Sequence, residues 1–179
     1  MKYLTVLACA ALSLTLGFWA ASATAADSLT ADMFLVDGKG ETLRIGTVVF
    51  TDTNSGLAIK TDLNGLPPGA HGFHIHEKGS CEPAEKDGKM TPAGAAGGHY
   101  DPQKTGKHLG PGGGGHAGDL PALIVAPDGT AKETMDIGGL TTTDIKGRAI
   151  MVHAGGDNYS DMPVELGGGG ARLACGVIR

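Results

Sequence analysis

The chain has 179 residues, of which 41% are hydrophobic and 18% are charged, and its formal net charge is −5. This length fits about one domain, and the composition supports a buried core. Only 4% of the residues are aromatic, and the charge balance is acidic. Both features argue against a nucleic-acid-binding protein, which needs a basic face and stacking platforms.

The N-terminal segment, residues 1–25, has the pattern of a secretory signal peptide. A short cationic start precedes an uncharged apolar run at residues 4–20, and small residues that suit cleavage follow it. We expect cleavage before Ala26, which leaves an exported mature domain, residues 26–179, without stable membrane insertion. The alternatives are a membrane anchor and a lipoprotein signal ending at Cys9.

Export changes how the cysteines are interpreted. Cys9 leaves with the signal peptide, so Cys81 and Cys175 have one possible pairing. An oxidising compartment permits this disulfide. The two cysteines are 94 positions apart, and a disulfide that closes a loop of this length would stabilise the fold by about 4–5 kcal/mol. Two free buried thiols are the alternative.

Short alternating apolar runs, separated by turn signals, predict an all-β domain after the signal peptide. Turn clusters at residues 37–40, 54–56 and 127–129 indicate antiparallel hairpins. No convincing helix is predicted. The eight predicted strands are residues 29–36, 43–50, 57–63, 70–77, 120–126, 130–137, 147–153 and 173–179.

Two long glycine-rich stretches, residues 77–119 and 154–172, interrupt the strands. We expect neither helix nor strand in them, and long loops inside a compact domain are usually functional. The sequence therefore predicts an eight-stranded antiparallel Greek-key barrel or sandwich with two long functional loops.

Two histidines lie two residues apart on a predicted strand. His74 and His76 therefore point to the same face, about 6.6 Å apart at the backbone, and both imidazoles can reach one metal ion. Ile75 between them would point into the core. His153 ends another apolar strand, where an imidazole without a partner is costly to bury. Imidazoles without thiolate or carboxylate favour copper, and two exposed histidines on one face are the alternative.

The first long loop carries further candidate ligands, which are His99, His108, His116 and Asp119. A glycine-rich loop can fold several such groups around one ion. Imidazoles together with one carboxylate favour zinc. The alternative is that Asp119 begins a strand or a turn.

Five motifs follow one another along the chain: GFHIHE at 72–77, GGHYDP at 97–102, HAGDLP at 116–121, VH at 152–153 and ARLACGVI at 171–178. Together they resemble the Cu,Zn superoxide dismutase family, in its exported bacterial branch, over essentially the whole mature chain. The resemblance implies a periplasmic enzyme that converts two superoxide anions to dioxygen and hydrogen peroxide. It also implies one copper and one zinc ion per chain, and it leaves a homodimer open.

The resemblance assigns metal ligands. The copper ligands it implies are His74, His76, His99 and His153. The zinc ligands it implies are His99, His108, His116 and Asp119. His99 is thus shared between the two ions.

The resemblance also implies roles for residues that do not bind metal. Asp157 would link His74 to His108, and Arg172 would dock the substrate in the active site. The disulfide of the family would be formed by Cys81 and Cys175. His71 corresponds to a structural histidine of the family that braces the backbone.

The alternative function is a non-catalytic exported copper- or zinc-binding sandwich protein. Relatives of that kind typically lack a copper ligand or the arginine, and this chain keeps all of them.

One departure from the eukaryotic pattern concerns charge. Residues 154–171 contain no Lys or Arg, although eukaryotic relatives carry lysine there. We therefore expect one or more of Lys78, Lys86 and Lys89 to steer the anionic substrate.

Overall fold

The computed structural model describes residues 28–86 and 88–179. The expected signal peptide and its cleavage site lie outside the described residues. Among the described residues, no helix has the length and apolar character needed to cross a membrane.

The described residues contain eleven β-strands and one short α-helix. The strands are β1 (Ser28–Asp37), β2 (Gly40–Thr53), β3 (Gly56–Leu63), β4 (Gly69–His71), β5 (Phe73–His76), β6 (Ala84–Lys86), β7 (Lys89–Thr91), β8 (Leu123–Val125), β9 (Thr134–Gly138), β10 (Ala149–His153) and β11 (Arg172–Val177). The helix is α1 (Thr142–Ile145), and single 3-10 turns cover Gly94–Ala96 and Leu166–Gly168.

Seven strands form one curled antiparallel sheet in the order β5-β10-β11-β1-β2-β3-β9, and β4 pairs with β8. The chain passes from β9 at one edge of this sheet to β10, which lies beside β5 at the other edge. This crossing is a Greek-key type of connection. All eight predicted strands are present, and the antiparallel all-β architecture confirms the predicted fold class.

One predicted strand is divided in two at Gly72, which lies between β4 and β5. The Gly72 N–H donates to the carbonyl of Gly155, and its carbonyl accepts from the N–H of His153, both at 2.8 Å. A Cβ atom at this position would lie 3.0 Å from the imidazole of His74. The break therefore brings the second long loop and two histidines close together.

The alternating strands bury one face in a shared core. In β3, the side chains of Leu57, Ile59 and Leu63 are fully buried, as period-two alternation requires. Ile75 of β5 is also fully buried in this core, as predicted. The adjacent residues His74 and His76 consequently point to the opposite face of the sheet.

Two predictions about local structure are wrong. The first long loop contains a hairpin, β6–β7, whose three-residue strands are too short to produce an alternating pattern. The helix α1 is a single turn and cannot produce apolar periodicity. It begins at a capping box in which the backbone N–H and hydroxyl of Thr141 both donate to Asp144.

Candidate metal centre

Two neighbouring strands present three histidines on one side of the sheet. β5 carries His74 and His76, and its partner β10 ends at His153. All three side chains are buried. The ring centroid of His153 lies 4.9 Å from that of His74 and 5.5 Å from that of His76.

The hydrogen bonds of two of these rings assign their tautomers. Nδ1 of His76 donates to the carbonyl of Gly97 at 3.0 Å, and Nδ1 of His153 donates to the carbonyl of Gly170 at 3.3 Å. A neutral imidazole carries one N–H, so Nε2 of each ring carries a lone pair. The two Nε2 atoms lie 3.3 Å apart. Two lone pairs directed at one space suit a metal ion better than a hydrogen bond.

Burial keeps the imidazoles of His76, His99 and His153 neutral. It lowers the pKa of His153 to about 3 and that of His99 to about 4. The pKa of His76 is lowered well below its ordinary value, first by burial and then by the charge of His99. At neutral pH each ring therefore offers the unprotonated nitrogen that metal coordination needs.

Asp119 organises a second cluster. Its Oδ1 lies 2.9 Å from Nδ1 of His99 and 3.4 Å from Nδ1 of His116, and its Oδ2 lies 3.0 Å from Nδ1 of His108. Burial would raise the pKa of Asp119, but a hydrogen bond from His99 and the nearby histidines lower it on balance. The carboxylate is therefore ionised among three imidazoles.

Several buried polar atoms in both clusters have no hydrogen-bond partner among the described residues. They are Nδ1 of His74, Nε2 of His99, Nδ1 of His108, Nδ1 of His116 and Oδ2 of Asp119. Buried polar atoms without a partner are rare and costly. These atoms have the chemistry of metal ligands, nitrogen alone on one side and nitrogen with carboxylate on the other, so the residues present fit copper and zinc.

The potential ligand atoms form two overlapping groups, within each of which all atoms lie within 4.8 Å of one another. One group contains the four residues expected to bind copper: His74, His76, His99 and His153. The other contains three of the four expected zinc ligands, and its members are His74, His99, His108 and Asp119. His116, the fourth expected zinc ligand, lies beside this second group and contacts it through Asp119.

Asp157 links the two clusters through hydrogen bonds to one histidine of each. Its two oxygens accept hydrogen bonds from Nε2 of His74 and Nε2 of His108, each at 2.8 Å. Burial opposes ionisation, but these hydrogen bonds lower the pKa of Asp157 to about 2. Because the Nε2–H of each ring donates to Asp157, both histidines direct an Nδ1 lone pair at the clusters.

Arg172 lies beside His153 across the β10–β11 pair. Its guanidinium donates to the carbonyls of Ala93 and Gly97. The segment that contains these carbonyls is fastened to β11 by the disulfide between Cys81 and Cys175, which confirms the predicted pairing. The arginine is thus held in one orientation at the histidine cluster.

The sequence did not predict two hydrogen-bond acceptors at the site. The Gly97 carbonyl accepts from both His76 and Arg172, and the GGHYDP motif marks its position without revealing a backbone role. The Asp161 carboxylate accepts from the backbone N–H of His108 at 2.9 Å. In the sequence it is one of several loop acids, and only its closeness to Asp157 sets it apart.

The chain is similar to known proteins over most of its length. A family model described as copper/zinc superoxide dismutase (SODC) matches residues 44–178. Superoxide dismutase [Cu-Zn] of Escherichia coli strain K12 is 56% identical over 160 residues, which cover 89% of this chain and 92% of that protein.

Solved structures agree with this match. The Cu/Zn superoxide dismutase from Brucella abortus has a TM-score of 0.84 at 53% identity and covers 86% of this chain and 100% of its own. The monomeric copper, zinc superoxide dismutase from Salmonella enterica has a TM-score of 0.75 at 52% identity, with the same coverage of 86% and 100%. By sequence, fold and site chemistry, the chain belongs to the copper/zinc superoxide dismutase family.

Proposed function

We propose that this chain is an exported enzyme that dismutates superoxide to dioxygen and hydrogen peroxide. The observation that supports it most directly is the pair of buried clusters of potential metal ligands that share His99. Arg172 is held in a fixed orientation beside one of them. The proposed copper ligands are His74, His76, His99 and His153. The proposed zinc ligands are His99, His108, His116 and Asp119.

His99 has the geometry for a bridging role between the two metals. Its Nδ1 faces Asp119 in the zinc cluster, whereas its unpaired Nε2 belongs to the copper cluster. Copper, when bound, supplies one-electron redox chemistry by alternating between two oxidation states. The ring would hold both clusters at a fixed separation, and its Nε2 would carry a proton toward the product.

Arg172 provides the docking site for the anion. A guanidinium has five N–H donors, and one on each terminal nitrogen is directed at the carbonyls of Ala93 and Gly97. Among the described residues the remaining donors have no hydrogen-bond partner, so they would hold superoxide next to the copper cluster. Because both carbonyls belong to the segment tied down by the disulfide, this cation is preorganised.

We also infer that the protein works in the periplasm as the mature domain, residues 26–179. The signal-peptide pattern and the Cys81–Cys175 disulfide support this location, because such bonds persist in oxidising compartments. The open question of a homodimer is tested by sedimentation of the mature protein.

The decisive experiment is superoxide turnover by the mature protein loaded with copper and zinc, followed by metal analysis. We expect one copper and one zinc per chain and rapid dismutation that disappears when copper is removed. A protein that carries both metals and has no activity would instead support the non-catalytic metal-binding alternative. The retention of the whole copper set and of Arg172 disfavours that alternative.

A further inference from the structure

Asp161 lies on the second long loop and makes a contact that crosses to the first. Its Oδ2 accepts the backbone N–H of His108 at 2.9 Å, and its Oδ1 accepts the backbone N–H of Leu166 at 3.2 Å. We propose that Asp161 is a positioning residue for His108 and thereby sets how tightly the protein holds zinc. This inference rests on the zinc site proposed above.

His108 is held at two points by two different carboxylates. Asp157 accepts a hydrogen bond from Nε2 of its ring at 2.8 Å, and Asp161 accepts one from its backbone. A ring hydrogen bond alone fixes one atom and leaves the residue free to pivot about it. The second bond fixes the backbone, so Nδ1 is kept at 3.0 Å from Oδ2 of Asp119.

The loop that carries Asp161, residues 158–166, is built to hold a fixed shape. The N–H of Asn158 donates to the carbonyl of Gly167, and the N–H of Gly167 donates to the carbonyl of Ser160. The side chain of Asn158 donates to the carbonyl of Met162 at 3.0 Å. Asp161 therefore extends from a closed loop whose ends are tied together.

Two non-glycine residues of this loop adopt left-handed backbone conformations that need support. Tyr159 has φ 57° and Leu166 has φ 55°, a conformation that is unfavourable for residues with side chains. The N–H of Tyr159 donates to Asp157, and that of Leu166 donates to Asp161. The two carboxylates that hold His108 thus also hold the two unfavourable backbone positions.

The same loop is fastened to the first long loop at Tyr159. A Cβ added to Gly110 would lie 2.7 Å from Cβ of Tyr159, so the two residues are in close contact. The hydroxyl of Tyr159 accepts the N–H of Ala122 at 3.1 Å. With Tyr159 as a second anchor, removal of the Asp161 carboxylate leaves the loop attached to the rest of the fold.

The test uses the metal-loaded protein and measures the rate at which zinc passes to an excess of chelator. We expect Asp161→Asn to release zinc about 10-fold faster and Asp161→Ala up to about 100-fold faster, the range that loss of an outer hydrogen-bond partner costs in metal affinity. The asparagine keeps one carbonyl acceptor, which explains the order. Glu165→Gln is the matched control, because it removes an exposed charge from the same loop.

A second measurement separates positioning from simple stabilisation. Cobalt(II) bound in place of zinc reports ligand geometry through its visible absorption spectrum. We expect both Asp161 variants to change the cobalt spectrum and Glu165→Gln to leave it unchanged. A purely structural role would lower the unfolding temperature without moving this spectrum.

The outcomes distinguish the inference from the proposed function. If the unmodified protein binds no zinc, the zinc site and the role of Asp161 are both wrong. If it binds zinc, and the Asp161 variants release it at the rate of Glu165→Gln with an unchanged cobalt spectrum, only the role of Asp161 is overturned.

Discussion

The Nε2 atoms of His76 and His153 lie 3.3 Å apart, and the other nitrogen of each ring donates to a backbone carbonyl. Neither ring can therefore donate to the other without losing its carbonyl partner. The fold holds two lone pairs against each other before any metal arrives. A metal ion placed between the two lone pairs would be bound by both, whereas burial disfavours a proton at either ring.

The first prediction concerns protons. Burial lowers the pKa of His99 to about 4 and that of His153 to about 3, whereas an unfolded histidine titrates near 6.5. Below about pH 6.5 the unfolded chain binds protons that the folded chain does not. The free energy of unfolding therefore decreases as the pH is lowered. Each such histidine should lower the free energy of unfolding by about 1.4 kcal/mol for every pH unit below 6.5, until the pH reaches its pKa in the folded protein.

Denaturant unfolding of the metal-free protein between about pH 8 and pH 4.5 measures this loss. The copper- and zinc-loaded protein is the control and should stay stable to lower pH, because bound metal competes with protons for the same nitrogens. A metal-free protein with constant stability across this range would contradict the burial argument.

The second prediction separates the two metal sites. Asp119→Ala should lose zinc and His76→Ala should lose copper, each with a larger drop in affinity than the roughly 10–100-fold cost of losing an outer partner. His76 is a cleaner probe than His74, because His74 shares Asp157 with the zinc side. Metal analysis after dialysis against chelator measures the loss, with the exposed Asp136→Ala as control. Equal loss of both metals from both variants would contradict two separate sites.

The third prediction concerns the disulfide. Ala93 and Ala96 pack against Cys81 and Cys175 in one small buried cluster, and the Ala93 carbonyl helps to hold Arg172. Replacing both cysteines by serine should lower the free energy of unfolding by about 4–5 kcal/mol. It should also lower the activity per bound copper, because the segment that orients the arginine is no longer tied to β11. Unchanged activity per copper would show that the segment keeps its position without the bond.

The sequence alone predicts much of this molecule, because its strong signals are local. The alternation of β3 and the His74-Ile75-His76 triplet follow from period-two geometry, and the structure buries Ile75 as expected. The cluster of histidines also follows, once the motifs are taken in order.

The rest depends on contacts between residues far apart in the chain. The β6–β7 hairpin has strands of three residues each, which are too short to show an alternating pattern in the sequence. The Gly97 carbonyl has no side-chain signature at all. Asp161 resembles an ordinary loop acid until the fold places His108, 53 residues earlier in the chain, against it.

The fourth prediction concerns Arg172. Arg172→Ala should retain copper and fold but lose about 10–100-fold in activity, because a hydrogen bond to a charged group contributes about 1.5–3 kcal/mol. Arg172→Lys should lose less, since an ammonium supplies the charge without the fork that reaches both carbonyls. Activity per bound copper is the quantity to compare. An alanine variant that is fully active with full copper content would exclude the docking role.

The last prediction addresses a conflict of charge, because the protein is acidic overall, with a net charge of −5, and the substrate is an anion. Residues 154–171 carry no Lys or Arg, so a positive field near the copper cluster must come from elsewhere. The backbone of Lys78 donates to the carbonyl of Ala96, one residue before Gly97, whose carbonyl holds Arg172. Lys86 and Lys89 are exposed and oppose each other in the β6–β7 hairpin.

We therefore expect one or more of Lys78, Lys86 and Lys89 to steer superoxide, and the catalytic rate to fall as ionic strength rises. Between about 10 and 150 mM salt the Debye length shrinks from ~30 to ~8 Å, so attraction over the approach path is lost. Lys→Gln at the responsible position should lower the rate at low salt and flatten its salt dependence. Lys60→Gln is the control, since this exposed lysine lies on β3, five strands from β5 in the sheet order. A rate in the unmodified protein that is constant or rises with salt would mean that the acidic surface acts unopposed, and steering by these lysines would be excluded.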